Sequence, residues 1–336
     1  MAYWLPVAWA ALIAVAVLAY VLLDGFDLGV GILFAVEHDA DDRDVMVNTV
    51  APVWDGNETW LVLGGGGLFA VFPMAYAVIM PAFYPAIIGM LLSLVFRGVA
   101  FEFRFRARRP GSKAWWDRAF MLGSTLAAFC QGLTLGGLLQ GVHAVDGQYA
   151  GGWFDWLTGF TLLCGIAVVL GYALLGSTWL IWRTEGRLQR SARRHAHVLG
   201  MAVLGLIVIV SLWTPMLNPR FEHRWFGFPG ILLTSPVPIL VALVAWAFWR
   251  GLRGRQDLAP FLCAEAWFAL CYAGLGISLW PLIVPPGITI WQAAAPPSSQ
   301  LFLLVGAVVL IPVILTYTGF AYWVFRGKVK AGAHYH

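Results

Sequence analysis

Nine stretches of the chain are apolar for about 20 residues or more, the length that crosses a hydrocarbon core at 1.5 Å rise per residue. They lie near 6–36, 50–71, 74–101, 118–141, 155–182, 197–216, 231–250, 259–281 and 299–325, separated by charged or Pro/Gly-rich breaks. The pattern predicts an all-α membrane protein with nine transmembrane helices in a single integral membrane domain over 1–336. The first and third stretches are long enough to tilt or to project beyond the bilayer. The segment 217–236 mixes aromatic, charged and proline residues and is expected to lie along an interface. The first stretch has no basic leader and runs straight into Asp24-Gly25-Phe26-Asp27, which reads as a retained helix rather than a cleaved signal.

Charge gives the stretches a direction. The connections 37–49, 97–118, 183–196 and 250–258 and the tail 326–330 hold 19 of the 21 Lys and Arg residues, and the opposite side has only Arg220 and Arg224. The positive-inside rule then places the N-terminus outside and the C-terminus in the cytoplasm, with an odd number of spans between. Trp4, Trp54, Trp115, Trp116, Trp153, Trp156, Trp225 and Trp291 fall near the ends of spans, as an interfacial belt should.

Composition agrees: of 336 residues 60% are hydrophobic and 11% charged, which no soluble domain needs. The net charge of +4 sits in short loops beside spans, so it reads as an orientation signal and not as a nucleic-acid surface. Cys130, Cys164, Cys263 and Cys271 lie in apolar stretches without CxxC spacing and read as small buried side chains. The terminal His334-Tyr335-His336 is assigned no chemistry.

The exceptions to apolarity carry the candidate chemistry. Asp24 and Asp27 lie within the first stretch, and Asp55 and Glu58 within the second. A charge at the centre of a bilayer helix costs roughly 2.5–3.5 kcal/mol. Each pair is spaced by three residues and so shares one helix face. With the N-terminus outside, both pairs fall in the inner half of their spans, near Arg97 and Glu102 of the third. Three readings stand at this point. One is a structural polar knot, with carboxylates capping a helix start such as Asp55-Gly56-Asn57 or pairing with Arg97. The second is a proton-uptake route through carboxylates and water. The third is a hard-cation site of oxygen ligands, although nothing fixes a coordination number.

Gly25 and Gly29 form a small-xxx-small pair, and Gly64 to Gly67 a glycine run. Lacking a following Gly-Lys-Ser/Thr, the run is no phosphate loop, and close helix approach is expected at both places. A haem would need His, Met or Cys deep in a bundle. His38, His143, His195, His197 and His223 fall in or near loops, and Met80, Met90 and Met121 read as core residues, so this chain is expected to hold no haem.

Several long motifs carry a resemblance. Residues 23–31, Leu23-Asp24-Gly25-Phe26-Asp27-Leu28-Gly29-Val30-Gly31, are similar to the first-helix signature of subunit II of cytochrome bd-type quinol oxidases, including the cyanide-insensitive branch. So is Ala51-Pro52-Val53-Trp54-Asp55-Gly56-Asn57-Glu58-Thr59-Trp60-Leu61, with the glycine run and the Phe72-Pro73-Met74-Ala75-Tyr76 turn behind it. Leu94 to Glu102, Leu138-Leu139-Gln140-Gly141, Ser298-Ser299-Gln300-Leu301 and Pro312 to Thr318 extend the likeness over nearly the whole chain.

The resemblance implies nine helices arranged as two four-helix bundles plus one peripheral helix. It implies pairing with a haem-bearing subunit I in a bacterial inner membrane. In that family the complex oxidises ubiquinol and reduces oxygen to water, and the b-type and d-type haems belong to subunit I. Some relatives hold a structural ubiquinone in subunit II, and some complexes carry a small accessory single-span subunit. The family's proton path from the cytoplasm maps onto Asp27 and Asp55, with Arg97 and Glu102 at matching positions and Asp24 and Glu58 beside them. Glu102 stands where some relatives have Asp, and Glu58 where some have Gln. Glu265 matches no family position and has no assigned role. Two other classes compete: a stand-alone proton-coupled transporter, which midplane acids and glycine-broken helices also suit, and a purely structural membrane subunit. Co-purification of a second, haem-absorbing chain separates them.

Overall fold

Residues Trp4–Ile32 form α1, a 29-residue helix whose second half is buried without interruption from Asp24 to Gly31. The computed structural model describes residues 3–107 and 109–329; Arg108, Lys330 and His334-Tyr335-His336 lie outside them. After α1 come α2 (Ala40–Val50), α3 (Trp54–Val71), α4 (Pro73–Ala82), α5 (Tyr84–Arg106) and α6 (Pro110–Gln140). A small hairpin, β1 (Ala144–Val145) and β2 (Gln148–Tyr149), leads to α7 (Gly159–Arg183), α8 (Gly186–Leu217), α9 (Pro219–Phe226), α10 (Gly230–Thr234), α11 (Pro236–Arg253) and α12 (Ala259–Leu279). A second hairpin, β3 (Leu282–Val284) and β4 (Ile288–Thr289), precedes α13 (Ile290–Ala293) and α14 (Pro297–Val324).

Among the described residues, eight helical segments are long and apolar enough to cross a membrane, or up to nine if α3 and α4, bent by 120°, count as one span. The stretch expected as one span over 74–101 is therefore two helices, α4 and α5, broken at Phe83. Prolines explain the breaks: each of α4, α5 and α6 has proline in its first turn, where the missing N–H does no harm. Two basic connections expected as loops are helical instead. The α6 helix starts at Pro110 and α8 at Gly186, so both project past the apolar part of their sequence. Residues 37–49 are mostly α2, started by the Asp39 side chain accepting the amides of Asp41 and Asp42. The interfacial segment 217–236 holds two short helices, α9 and α10, with Phe221 buried and Phe226 and Phe228 exposed.

The hub is α1, which packs against α3, α6, α7, α12 and α14. Its contact with α7 is a backbone contact: a methyl group on Gly29 would overlap the Tyr172 carbonyl and the Gly176 amide. The second glycine run behaves differently from expectation. Gly64 and Gly67 meet Val17 and Ile13 of α1, but Gly65 and Gly66 face open space, being on the other side of the helical turn.

The two ends of the helix assembly differ. At one end, ion pairs lace together the connections that hold most of the basic residues. Asp117 joins Arg43 (3.1 Å) and Arg104 (2.5 Å), and Asp44 joins Arg104 and Lys113, each at 2.7 Å. Arg187 meets Asp39 (2.9 Å) and Asp42, and Asp257 meets Arg193 (2.6 Å) and Lys328 (2.7 Å). The other end carries aromatic contacts and the hairpins: Tyr3 stacks on Trp291, Trp280 packs edge-on to Trp291, and Trp9 donates to the Gln300 carbonyl. There Gln140 accepts the hydroxyl of Thr158, the residue that caps α7, and Gly141 ends α6 at φ +95°.

Candidate functional site

The acidic faces of α1 and α3 meet at the ion-paired end of the molecule. Asp24 and Asp27 lie about 12 Å and 8 Å from the C-terminal end of α1 at 1.5 Å per residue. The first turns of α3 and the second half of α5 sit beside them. Both aspartates are 0% exposed and Arg97, from α5, is 1% exposed. A carboxylate buried that deeply must be paired, hydrogen-bonded or neutral.

Arg97 Nη1 lies 2.8 Å from Asp24 Oδ1 and 4.0 Å from Glu58 Oε2, and its guanidinium stands 5.9 Å from the centre of the Trp54 ring. Gly123 of α6 lets the α5 backbone come close at this point, since a methyl there would press on the Arg97 amide and the Ser93 carbonyl. Asp27 is held from α3: Asn57 Nδ2 donates to Asp27 Oδ2 at 2.7 Å and to the Leu23 carbonyl at 3.2 Å. Asn57 Oδ1 in turn accepts the Tyr322 hydroxyl of α14 at 2.9 Å. Asp27 Oδ1 has no hydrogen-bond partner among the described residues. A buried carboxylate oxygen with free lone pairs calls for a donor, which a proton or a water supplies.

A second set of hydrogen bonds ends at Tyr20, one turn back from Asp24 on α1. Gln131 Nε2 of α6 donates to the Tyr20 oxygen, and the Tyr172 hydroxyl of α7 donates to Gln131 Oε1, both at 2.7 Å.

Of the six residues singled out from sequence, Asp24, Asp27, Arg97 and the half-buried Glu58 come together. Asp55 and Glu102 do not join them. Both are exposed and line an open cleft between α3, α5 and the C-terminal part of α14, with Trp54, Asn57, Phe101, Arg106, Tyr317 and Tyr322. The reason is helical phase. Asp55 is two residues from Asn57 and so points away from the side of α3 that meets α1. No capping role is seen for Asp55 either: the N-cap of α3 is Val53, without a side-chain bond, and Asp55 sits in the first turn, where a negative charge suits the helix dipole. The cleft and the buried acids nevertheless share a wall, because Asn57 and Tyr322 line the cleft and also hold Asp27.

The residues that sequence reading passed over are Tyr20, Asn57, Gln131, Tyr172 and Tyr322. Each is a hydrogen-bonding side chain set in an apolar run, and Gln131 and Asn57 could have been found by asking which polar residues in a span need a partner. Among the described residues no three His, Cys, Asp or Glu are gathered so as to hold a metal ion. The polar knot was right as to Arg97, which pairs with Asp24.

Known proteins place this geometry in a family. The family described as cytochrome bd terminal oxidase subunit II matches residues 5–325. Cytochrome bd-I ubiquinol oxidase subunit 2 of Escherichia coli K12 is 33% identical, over 96% of this chain and 94% of its own. Cytochrome bd ubiquinol oxidase subunit 2 of Bacillus subtilis is 29% identical, over 96% of each chain. A chain in the structure of bd oxidase from Geobacillus thermodenitrificans superposes with a TM-score of 0.76 over 96% of this chain and 98% of that one, at 15% identity, a likeness of fold.

Proposed function

This chain belongs to the cytochrome bd terminal oxidase subunit II family, and from that membership we propose that it carries protons from the cytoplasm toward an oxygen-reducing partner and scaffolds that partner. It is a subunit of a bd-type oxidase, an oxidoreductase, and a multi-pass bacterial membrane protein. In the proposed complex the partner is subunit I, ubiquinol is the electron donor, and the b-type and d-type haems sit in subunit I. Of the described histidines, His38 and His143 lie in connections and His223 in the short α9, while His195 and His197, expected near a loop, lie inside the first half of α8; no haem step is derived on this chain. No residue here is assigned to a structural ubiquinone or a small accessory subunit.

The observation that carries the reading is the shared wall of Asn57 and Tyr322. A proton taken up at the exposed carboxylates Asp55 and Glu102 has, one residue layer in, the Asn57–Asp27 hydrogen bond and then Asp24, 3 residues along the same face of α1. Arg97 holds Asp24 in place and, by its charge, keeps the two aspartates and Glu58 from repelling one another unchecked. Asp27 Oδ1, with no hydrogen-bond partner among the described residues, is the acceptor left free for the moving proton. The ion-paired end faces the cytoplasm in this reading, which puts the N-terminus outside and the C-terminus inside an inner membrane, and arranges the spans as two four-helix bundles plus one peripheral helix. Oxygen reduction consumes protons; drawing them from inside while quinol releases its own outside builds a gradient.

The cleft face also supports a protein neighbour. Asp55, Thr59 and Glu102 are exposed among the apolar Val62, Phe96, Val99 and Phe103 of α3 and α5. Ionisable groups at that depth are tolerated against protein or water and not against lipid.

The decisive experiment is Asp27→Asn and Asp55→Asn in the intact complex, with haem absorbance as the measure of assembly. Oxygen consumption should fall while haem content is kept. Full oxygen consumption in both assembled variants would end the proton-supply reading, and isolation of a stable, active single chain would favour a transporter.

A further inference from the structure

Among the described residues, Glu265 is an acid within a span whose carboxyl group is shut from solvent and which the proposed path does not use. It lies in α12, and neither of its carboxyl oxygens has a hydrogen-bond partner or measurable access to solvent. No cation among the described residues forms an ion pair with it.

Its position is set by its neighbours on the helix. Phe261, Glu265, Phe268 and Tyr272 recur at spacings of four, three and four, which is one face of α12. Phe261 packs edge-on to Phe26 of α1 and against Trp179 of α7, Phe268 stacks on Tyr172 of α7, and the Tyr272 hydroxyl donates to the Ala14 carbonyl of α1. Glu265 therefore points into the seam between α1 and α7, on the side that holds Tyr172, stacked on Phe268, and Tyr322, edge-on to Phe26 and Trp179.

The hydrogen bonds of those two tyrosines run in one direction. Asn57 gives its amide protons to Asp27 and the Leu23 carbonyl, so its oxygen must take the Tyr322 proton. Gln131 gives an amide proton to the Tyr20 oxygen, so its own oxygen takes the Tyr172 proton. Both chains point their donors toward α1, one at Asp27 and the other at Tyr20, a turn before Asp24. At the far ends the tyrosine protons are already committed, and only oxygen lone pairs remain to face Glu265. A carboxylate would meet acceptors there; a carboxylic acid would be the missing donor.

We propose that Glu265 holds an exchangeable proton and heads both donor chains, Tyr322–Asn57–Asp27 and Tyr172–Gln131–Tyr20. In the proposed state a bridging water or a side-chain rotation completes the bond from Glu265 to a phenol oxygen. When the aspartates change charge, the response passes back along the chains to the Glu265 O–H, which strengthens or loosens its bond to a tyrosine oxygen. The proposal rests on the proton-supply reading for its purpose, and on the bond directions for its content.

The test is infrared spectroscopy of the intact two-subunit complex in H2O and D2O, with haem absorbance reporting assembly. A protonated-carboxyl C=O band is expected that shifts in D2O, is lost in Glu265→Gln, and moves in Tyr322→Phe and Tyr172→Phe. An assembled Glu265→Gln complex that keeps every such band overturns the proposal. If Glu265→Gln does not assemble, the tyrosine variants decide, and an unmoved band in both overturns it. Unchanged oxygen consumption in Asp27→Asn would instead sink the proton-supply reading while leaving the band result standing.

Discussion

Asn57 on α3 joins Asp27 of α1 to Tyr322 of α14, at 2.7 Å and 2.9 Å, through the two ends of one amide. A residue between two motif acids thus does the connecting. Replacing it by leucine keeps the volume and removes both bonds. We expect Asn57→Leu to assemble with haem and to lose oxygen consumption by about ten-fold or more, short of the 10²–10⁴ that a positioned proton-transfer group contributes. An oxygen-electrode rate within two-fold of the parent, per haem, would show that the proton takes another way.

Arg97 is a structural partner before it is anything else. Removing one member of a buried ion pair typically costs about 3–5 kcal/mol, because the other charge is left alone. Arg97→Ala should therefore lower the thermal stability of the purified complex sharply, and Asp24→Asn on top of it should recover part of the loss, a non-additivity expected of groups in contact. Strict additivity in the double variant would deny the pair its role.

The α1–α7 contact predicts an intolerance that burial alone would not. Gly29→Ala and Gly176→Ala each force two backbones apart, an overpacking worth about 1–3 kcal/mol or more. Gly65→Ala and Gly66→Ala, in open space, should cost little and gain helix propensity. The comparison is made by complex yield and melting temperature; equal losses at all four positions would contradict the geometry.

Asp257 gives a pH signature at the ion-paired end. Partial burial works to raise its carboxyl, but the hydrogen bond and charge of Lys328, with Arg193, outweigh that and hold it below the ordinary range. A lowered folded value means the stabilisation is complete above the unfolded pKa of about 3.9 and is lost as pH falls through the folded value. The difference in melting temperature between the parent and Asp257→Asn should be present at pH 7, shrink with added salt, and close below about pH 4. A gap that persists in acid would assign it to packing.

Much of the architecture was legible because a bilayer imposes one period and one length. The apolar runs found the helices, and the count of basic residues grouped the connections that the ion pairs later join. What the pattern could not show was where a helix continues past its apolar part, as at Pro110 and Gly186, since charged residues such as Arg190 and Lys113 are also good helix formers. Nor could it show the break at Phe83, whose neighbours are as apolar as a span. For the site, i+3 spacing paired Asp24 with Asp27 correctly. The same rule applied to Asp55 and Glu58 did not tell which side of α3 faces α1; Asn57, one residue from Glu58, marks that side. Glu265 was visible as an unexplained acid, but its setting depends on tyrosines from two distant helices.

The latch at the ion-paired end orders events during synthesis. Arg183 binds the Phe325 carbonyl, the Val329 amide donates to the Arg183 carbonyl, and Lys328 grips Asp257, so residues 325–329 tie the end of α7 to the α11–α12 connection. These five residues leave the ribosome after everything they touch. The earlier pieces already touch, Trp182 stacking on Phe261 and Arg193 pairing with Asp257, so the tail adds the final fastening to a rim that has begun to close.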